Sequence, residues 1–66
     1  MFKVGELVRV LRDKLPKEDE IIVDEHGYLW FITHIGQTGR ILYCKSLATG
    51  ATDHVWFPNE LEKADV

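Results

Sequence analysis

The sequence contains few cysteines and few prolines. It contains one cysteine, Cys44, and two prolines among 66 residues, so an internal disulfide and a proline-rich linker are both excluded. Domains this short usually rely on disulfides, metals, self-association or a well-packed core, and the first option is closed here. Sparse cysteine also favours a reducing compartment, so we expect a cytoplasmic protein.

The sequence also lacks long apolar runs and an excess of basic charge. No stretch approaches the ~20 apolar residues of a transmembrane helix, and residues 1–6 lack the apolar core of a signal peptide. We therefore expect no membrane association. Lys and Arg number 8 against 11 Asp and Glu, which gives a formal net charge of −3. This acidic balance argues against general nucleic-acid binding, because such binding depends on neutralising phosphates.

Groups that could carry catalysis or hold a metal are sparse. The histidines, the cysteine and one aspartate are the candidate ligands: His26, His34, Cys44, Asp53 and His54. No pair of them has the close spacing of a zinc site. Nothing orients Cys44 as a nucleophile, and Gly36 and Gly39 lack the Gly-Lys-Ser/Thr end of a phosphate loop. We expect no enzyme, no metal and no cofactor, with Cys44 a small core residue.

What the sequence does contain is a series of short β-prone runs separated by turn signals. Strands are predicted at residues 7–11, 21–23, 28–35, 40–45, 52–57 and 61–63. A charged loop is predicted at 12–20, turns at 36–39 and 46–50, and a single 3₁₀ turn at 58–61. Short strands at this spacing indicate an all-β fold. We predict one domain over residues 1–66, a five-stranded small barrel with a short 3₁₀ turn before its last strand.

Strand alternation predicts which side chains face the core. The predicted inward residues are Val8, Val10, Leu42, Cys44, Val55 and Phe57. Tyr43 and Trp56 then face outward. The 28–35 run is apolar on both faces in its first half, so one face is expected in the core and the other on an aromatic surface. The sequence leaves open whether the Trp30 face or the Phe31 face is exposed.

Two segments resemble the Src-homology-type small barrels. Val4-Gly5-Glu6-Leu7-Val8-Arg9-Val10 looks like the opening of KOW and Mib/Herc-type barrels, and of small barrel subunits of redox and photosynthetic complexes. Phe57-Pro58-Asn59-Glu60-Leu61-Glu62 resembles the Glu-Leu-Glu closing of those barrels and the Pro-Ser-Asn-Tyr-Val closing of eukaryotic signalling barrels. The resemblance implies the barrel fold. The Ala-Leu-Tyr-Asp-Tyr opening of the signalling domains is missing, and Glu60 replaces their tyrosine, which argues against recognition of Pro-x-x-Pro peptides.

Surplus aromatic residues are the first candidate for a functional surface. If neighbouring strands align them, Trp30, Tyr43 and Trp56 would form one exposed platform. Exposed Trp and Tyr side chains are enriched at protein interfaces, and they also stack on the bases of single-stranded nucleic acid. The alternative is that these rings close the open ends of the barrel.

Acidic residues in the predicted 12–20 loop are the second candidate. Glu18, Asp19 and Glu20 would form an edge that steers a basic partner. The alternative is a solvated loop with no partner.

Three functions are compatible with these features. The leading hypothesis is a non-catalytic protein-binding module, a small bacterial or phage regulator, inhibitor or accessory subunit. The second is a KOW-type nucleic-acid-binding barrel, which would need its basic residues on one face: Arg9, Arg12, Lys14, Arg40 and Lys45. The third is a self-assembling structural protein that pairs through its edge strands.

Overall fold

The structure is a computed structural model that describes residues 2–52 and 54–64. Within these residues, an antiparallel sheet of five strands curls into a half-barrel, and one short helix accompanies it. The strands are β1 (Leu7–Val10), β2 (Leu29–Ile35), β3 (Leu42–Ser46), β4 (His54–Trp56) and β5 (Leu61–Lys63), in the spatial order β4-β3-β2-β1-β5. The helix α1 spans Glu20–His26, and 3₁₀ turns occupy Arg12–Lys14, Lys17–Asp19 and Pro58–Glu60. The expectation of a small, mostly β fold is confirmed.

The inner face of the sheet forms the hydrophobic core. Val8 and Val10 of β1 and Leu42 and Cys44 of β3 are buried, as the alternation predicts. In β2 the core residues are Trp30 and Ile32. The aromatic surface left open by the sequence is therefore the opposite face of β2.

The predicted strand at residues 21–23 is wrong, because these residues belong to α1. Val23 is buried in the core whereas Ile21 is 60% exposed, an arrangement that a single helical face produces. The Arg12 guanidinium holds the helix by binding Glu20 and Asp24, which lie one turn apart. These contacts join Arg12, at the start of the 12–20 segment, to the helix. The run of three apolar residues at 21–23 contains no information about them.

The predicted facing of β4 is also wrong. Trp56 is 1% exposed, whereas Val55 is 42% and Phe57 50% exposed. The register explains the reversal, because Leu42 lies opposite Trp56 and directly opposed residues share a face of the sheet. Leu42 is buried, so Trp56 is buried with it.

The chain closes as the sequence predicts, through a 3₁₀ turn and a short last strand. Glu60 is 4% exposed, and its Oε1 accepts the backbone N–H of Phe57 at 2.8 Å. The Glu60 carbonyl accepts the N–H of Leu11 at 2.7 Å. Leu61 then enters the core opposite Val10, where β5 pairs antiparallel with β1. Glu60 therefore fixes the turn that returns the chain to β1.

The two ends of the half-barrel differ. At one end, Ser46 Oγ donates to the His26 carbonyl at 2.5 Å, and Trp30 Nε1 donates to the Gly27 carbonyl at 3.0 Å. These bonds join β3 and β2 to the last turn of α1. The opposite end, where β2 finishes at Ile35 and β3 begins at Leu42, is bordered by Pro58 of the last 3₁₀ turn.

Candidate functional site

The outward face of the sheet carries a row of apolar side chains, which we call the outer apolar face: Leu7, Phe31, Tyr43 and Val55. Phe31, Tyr43 and Val55 are 41%, 40% and 42% exposed, and Leu7 is half-buried. Leu7 lies opposite Phe31, and Tyr43 lies opposite Val55. Between β2 and β3 the residues directly opposed on this face are Phe31 with Lys45 and His34 with Tyr43, so the two apolar pairs are related diagonally.

The structure does not assemble the predicted aromatic platform. Trp30 and Trp56 are buried, with their rings 5.5 Å apart in an edge-to-face arrangement on the inner side of the sheet. Tyr43 lies alone of the three on the outward side. The sequence left the exposure of Phe31 open and placed Val55 in the core, whereas both residues lie on the surface. The sequence signal for the observed facing was the size of the Trp rings. Trp30 precedes Phe31 and Trp56 precedes Phe57, and in each pair the larger ring is the buried one.

A β-bulge adds polar groups to the edge of the outer apolar face. The β2–β3 register shifts between Ile32 and His34, and His34 then lies opposite Tyr43, with ring centroids 5.4 Å apart. Thr33 Oγ1 donates to the Tyr43 carbonyl at 3.1 Å. Bulges re-aim side chains and occur frequently beside functional sites. Here the bulge places an imidazole next to the exposed Tyr43 ring.

The charges around the outer apolar face are mainly basic. Lys45 lies opposite Phe31 and is exposed, with no carboxylate partner among residues 2–52 and 54–64. Arg9 lies on the same side of the sheet, where it pairs with Glu62 at 3.1 Å. The face therefore combines an apolar centre with a positive charge, Lys45, that the described carboxylates leave unpaired.

The predicted acidic residues lie at the α1 end, outside the sheet. Glu18 and Asp19 form part of the 3₁₀ turn Lys17–Asp19, whereas Glu20 begins α1 and binds Arg12 at 3.0 Å. Hydrogen bonds with the Tyr28 hydroxyl and with Asp24 raise the pKa of Arg12 above its usual range. Residues 12–26 hold six acidic and three basic side chains, so this segment accounts for the whole net charge of −3.

The candidate metal ligands that the structure describes lie on both sides of the sheet, with Cys44 opposite His54 on the inner side. His26 and His54 lie beside Trp30 with their rings 4.9 Å apart, and His26 Nδ1 hydrogen-bonds Thr49 Oγ1 at 2.7 Å. His34 is on the outer face, and Asp53 lies outside the described residues. Among the residues that are described, no three His, Cys, Asp or Glu side chains group to hold a metal ion.

Cys44 is expected to be chemically inert in the folded protein. Its side chain is fully buried, and desolvation raises the pKa of Cys44 to about 12. The thiolate is the reactive form of cysteine. We predict no labelling by an aromatic disulfide reagent in mildly alkaline buffer, and one equivalent of labelling after unfolding in urea. Rapid labelling of the folded protein would show that the thiol is accessible.

The end of the half-barrel at Ile35 and Leu42 contains an apolar pocket of about 530 Å³. Its lining consists of four apolar residues, a threonine and a glycine: Phe2, Ile35, Leu42, Pro58, Thr38 and Gly39. The segments that meet there are far apart in the sequence. We call this the end pocket.

Comparison with protein-family models, with curated proteins and with solved structures gives no match to this chain. Over residues 2–52 and 54–64, no helix has the length and apolar character needed to cross a membrane.

Proposed function

We propose that this protein is a non-catalytic binding module that docks on a larger protein through the outer apolar face. The observation that carries this proposal is the placement of Leu7, Phe31, Tyr43 and Val55 on the outward face of four neighbouring strands. Large apolar side chains that cluster on a surface mark interaction sites, whereas singly scattered ones do not. Aromatic residues at the centre of such a patch supply most of the binding energy in many interfaces.

The charge distribution supports a partner whose apolar contact surface is bordered by carboxylates. Lys45 and the bulge residue His34 border the patch, and the acidic residues of 12–26 lie at the α1 end of the sheet. A partner with a negative border would attract Lys45 and repel the acidic segment. This polarity would orient the module during encounter and increase the association rate.

The topology supports a finer proposal for the fold, a Src-homology-type small barrel. β5 returns to pair antiparallel with β1 directly after the 3₁₀ turn Pro58–Glu60, and β1 to β4 are successive antiparallel neighbours. A half-barrel of this size leaves its outer face available for a partner. We therefore propose a cytoplasmic regulator, inhibitor or accessory subunit of bacterial or phage origin.

Capture from a nuclease-treated bacterial lysate tests the docking proposal. Wild-type protein is expected to retain one protein, and Phe31→Ser and Tyr43→Ser are each expected to weaken that interaction roughly tenfold or more, the usual loss at an interface hot spot. Ile21→Ser is the matched control, because Ile21 is 60% exposed but lies on α1. It should retain the partner.

Two results would contradict the docking proposal. One is retention of the partner by both outer-face variants at wild-type strength. The other is equal loss in Ile21→Ser, which would assign the contact to the helix. Circular dichroism of each variant before capture ensures that a folded protein is being compared.

Ion pairing gives the nucleic-acid alternative less support. Arg9 binds Glu62, and Arg12 binds Glu20 and Asp24, so two of the five required basic residues are already neutralised. Titration with single-stranded oligonucleotides at low salt tests this alternative. Binding that weakens as salt rises would revive it.

A further inference from the structure

We propose that the end pocket binds a small aliphatic carboxylate, with the hydrocarbon chain inside and the carboxylate at the rim. This site is separate from the outer apolar face, because Leu42 lies on the inner side of β3 and Tyr43 on its outward side. The proposal does not depend on the protein-docking function. It rests on the shape of the pocket, its lining and the charges beside it.

The pocket and the end of α1 lie at opposite ends of the half-barrel. At the α1 end, Val23 of the helix fills the core. At the other end, Ile35 and Leu42 finish the sheet, and Phe2 and Pro58 stand beside them. A volume of about 530 Å³ falls in the range of pockets that take small molecules, ~300–1,000 Å³. An apolar chain placed there would cover Phe2, Ile35 and Pro58, which are only partly buried.

The lining selects an apolar chain. None of the six lining residues is ionisable, and Thr38 supplies the only polar side chain among them. Burying a charge in such surroundings without a partner is costly. The charged group of a ligand must therefore remain at the rim, in contact with solvent.

Two cationic residues are next in the sequence to lining residues. Arg40 follows Gly39, and Lys3 follows Phe2. Both are exposed, and their side chains have no carboxylate partner in the described ranges 2–52 and 54–64. Both side chains are therefore available to a ligand carboxylate at the rim.

The neighbouring carboxylates already have other partners. Glu6 accepts the backbone N–H of Lys3 at 3.0 Å and pairs with Lys63 at 3.4 Å, and these contacts lower its pKa. Glu60 is buried and accepts the N–H of Phe57. Among the described residues, the charged side chains next to the lining in sequence that lack an opposite partner, Lys3 and Arg40, are therefore positive. This is the observation that favours an anionic ligand over a neutral or cationic one.

Titration with octanoate, octanol and octylammonium, followed by two-dimensional amide NMR, tests the proposal. Octanoate is expected to shift the amides of Thr38, Gly39 and Leu42, and to bind roughly three- to fivefold more tightly than octanol, since an exposed charge contact is worth less than about 1 kcal/mol. Octylammonium is expected to bind more weakly than octanol. The ligands share their chain length, so the comparison isolates the head group.

Two variants separate the chain from the charge. Thr38→Trp is expected to fill the opening and abolish binding of octanoate and octanol together; Thr52→Trp, at an exposed position outside the lining, is its control. Arg40→Glu is expected to remove the preference for octanoate while leaving octanol binding unchanged. Lys45→Glu makes the same charge change on the outer face and should leave the preference intact.

Three results would overturn the proposal. These are equal affinity of wild-type protein for octanoate and octanol, octanoate-induced shifts confined to residues outside the end pocket, and unchanged octanoate binding in Thr38→Trp. Phe31→Ser provides an independent check, because it should abolish protein capture and retain octanoate binding. Failure of one site can therefore be distinguished from failure of the other.

Discussion

Replacing Trp56 by alanine is expected to unfold most of the protein, whereas replacing its neighbour Phe57 is expected to leave it folded. Trp56 is 1% exposed and packs its ring against Trp30. Truncating a buried Trp or Phe costs roughly 3–5 kcal/mol, since the lost transfer energy and the cavity add. A core of this size supplies a net stability of only ~3–5 kcal/mol. The substitution therefore removes most or all of the free energy of unfolding.

Phe57→Ala is the matched control one residue away. The Phe57 side chain is 50% exposed, and the bond that Phe57 makes to Glu60 uses its backbone N–H, which alanine retains. A surface substitution of this kind changes stability by about 0.5 kcal/mol or less. Urea unfolding followed by circular dichroism measures both variants. A folded Trp56→Ala protein together with an unfolded Phe57→Ala protein would contradict the structure. It would support the sequence prediction, in which Phe57 faces the core and Trp56 faces outward.

The stabilisation of the folded state by the Trp56 side chain comes from burial of its ring. Among the described groups, the indole N–H of Trp56 has no hydrogen-bond partner, whereas that of Trp30 binds the Gly27 carbonyl. An unpaired buried donor destabilises the folded state. Packing must therefore outweigh this cost, which makes the size of the side chain at position 56 decisive.

The reversed facing of β4 shows when strand alternation can predict which side chains are buried. In β1, the charge of Arg9 marks the outward face, and the predicted facing of Val8 and Val10 is confirmed. In β4, polar His54 shares a face with Trp56, so alternation predicts that this face points outward, yet Trp56 is buried. The observed facing comes from the register with Leu42, which is set by pairing between strands. The facing of a strand could be predicted where one of its faces carries a charged residue, as in β1.

The helix was missed for a related reason. Ile21, Ile22 and Val23 have high β propensity, and a run of three is too short to show a helical period. What selects α1 is the burial of Val23 together with the contacts from Arg12. Both are tertiary contacts, and they override local preference. Gly27, with φ of 83° directly after the helix, was the local stop signal in the sequence.

The candidate site was partly predictable. The outward position of Tyr43 followed from the alternation of β3 and is confirmed. The end pocket could not be foreseen, because it forms where residues 2, 35–42 and 58 meet in space. Turn signals predicted each connection separately but gave no information about which segments converge.

Ser46 has a structural role that could not be predicted from its residue type. It is 1% exposed at the end of β3. Its hydroxyl donates to the His26 carbonyl at 2.5 Å and accepts the N–H groups of Ala48 and Thr49 at 3.2 and 3.3 Å. One oxygen thus joins the last residue of α1 to the turn that leads toward β4.

Ser46→Ala is therefore expected to cost about 2 kcal/mol, because polar groups that lose a buried partner cost roughly 1–3 kcal/mol. For a domain of this length, that loss lowers the melting temperature by roughly 8–16 °C. Thermal unfolding measures the effect, with Thr52→Ala, at an exposed position, as the control. Faster amide exchange at Ala48 and Thr49 should accompany it. A melting temperature within about 3 °C of wild type, a difference below ~1 kcal/mol, would mean that water replaces the hydroxyl and that α1 is held by Arg12 and Val23 instead.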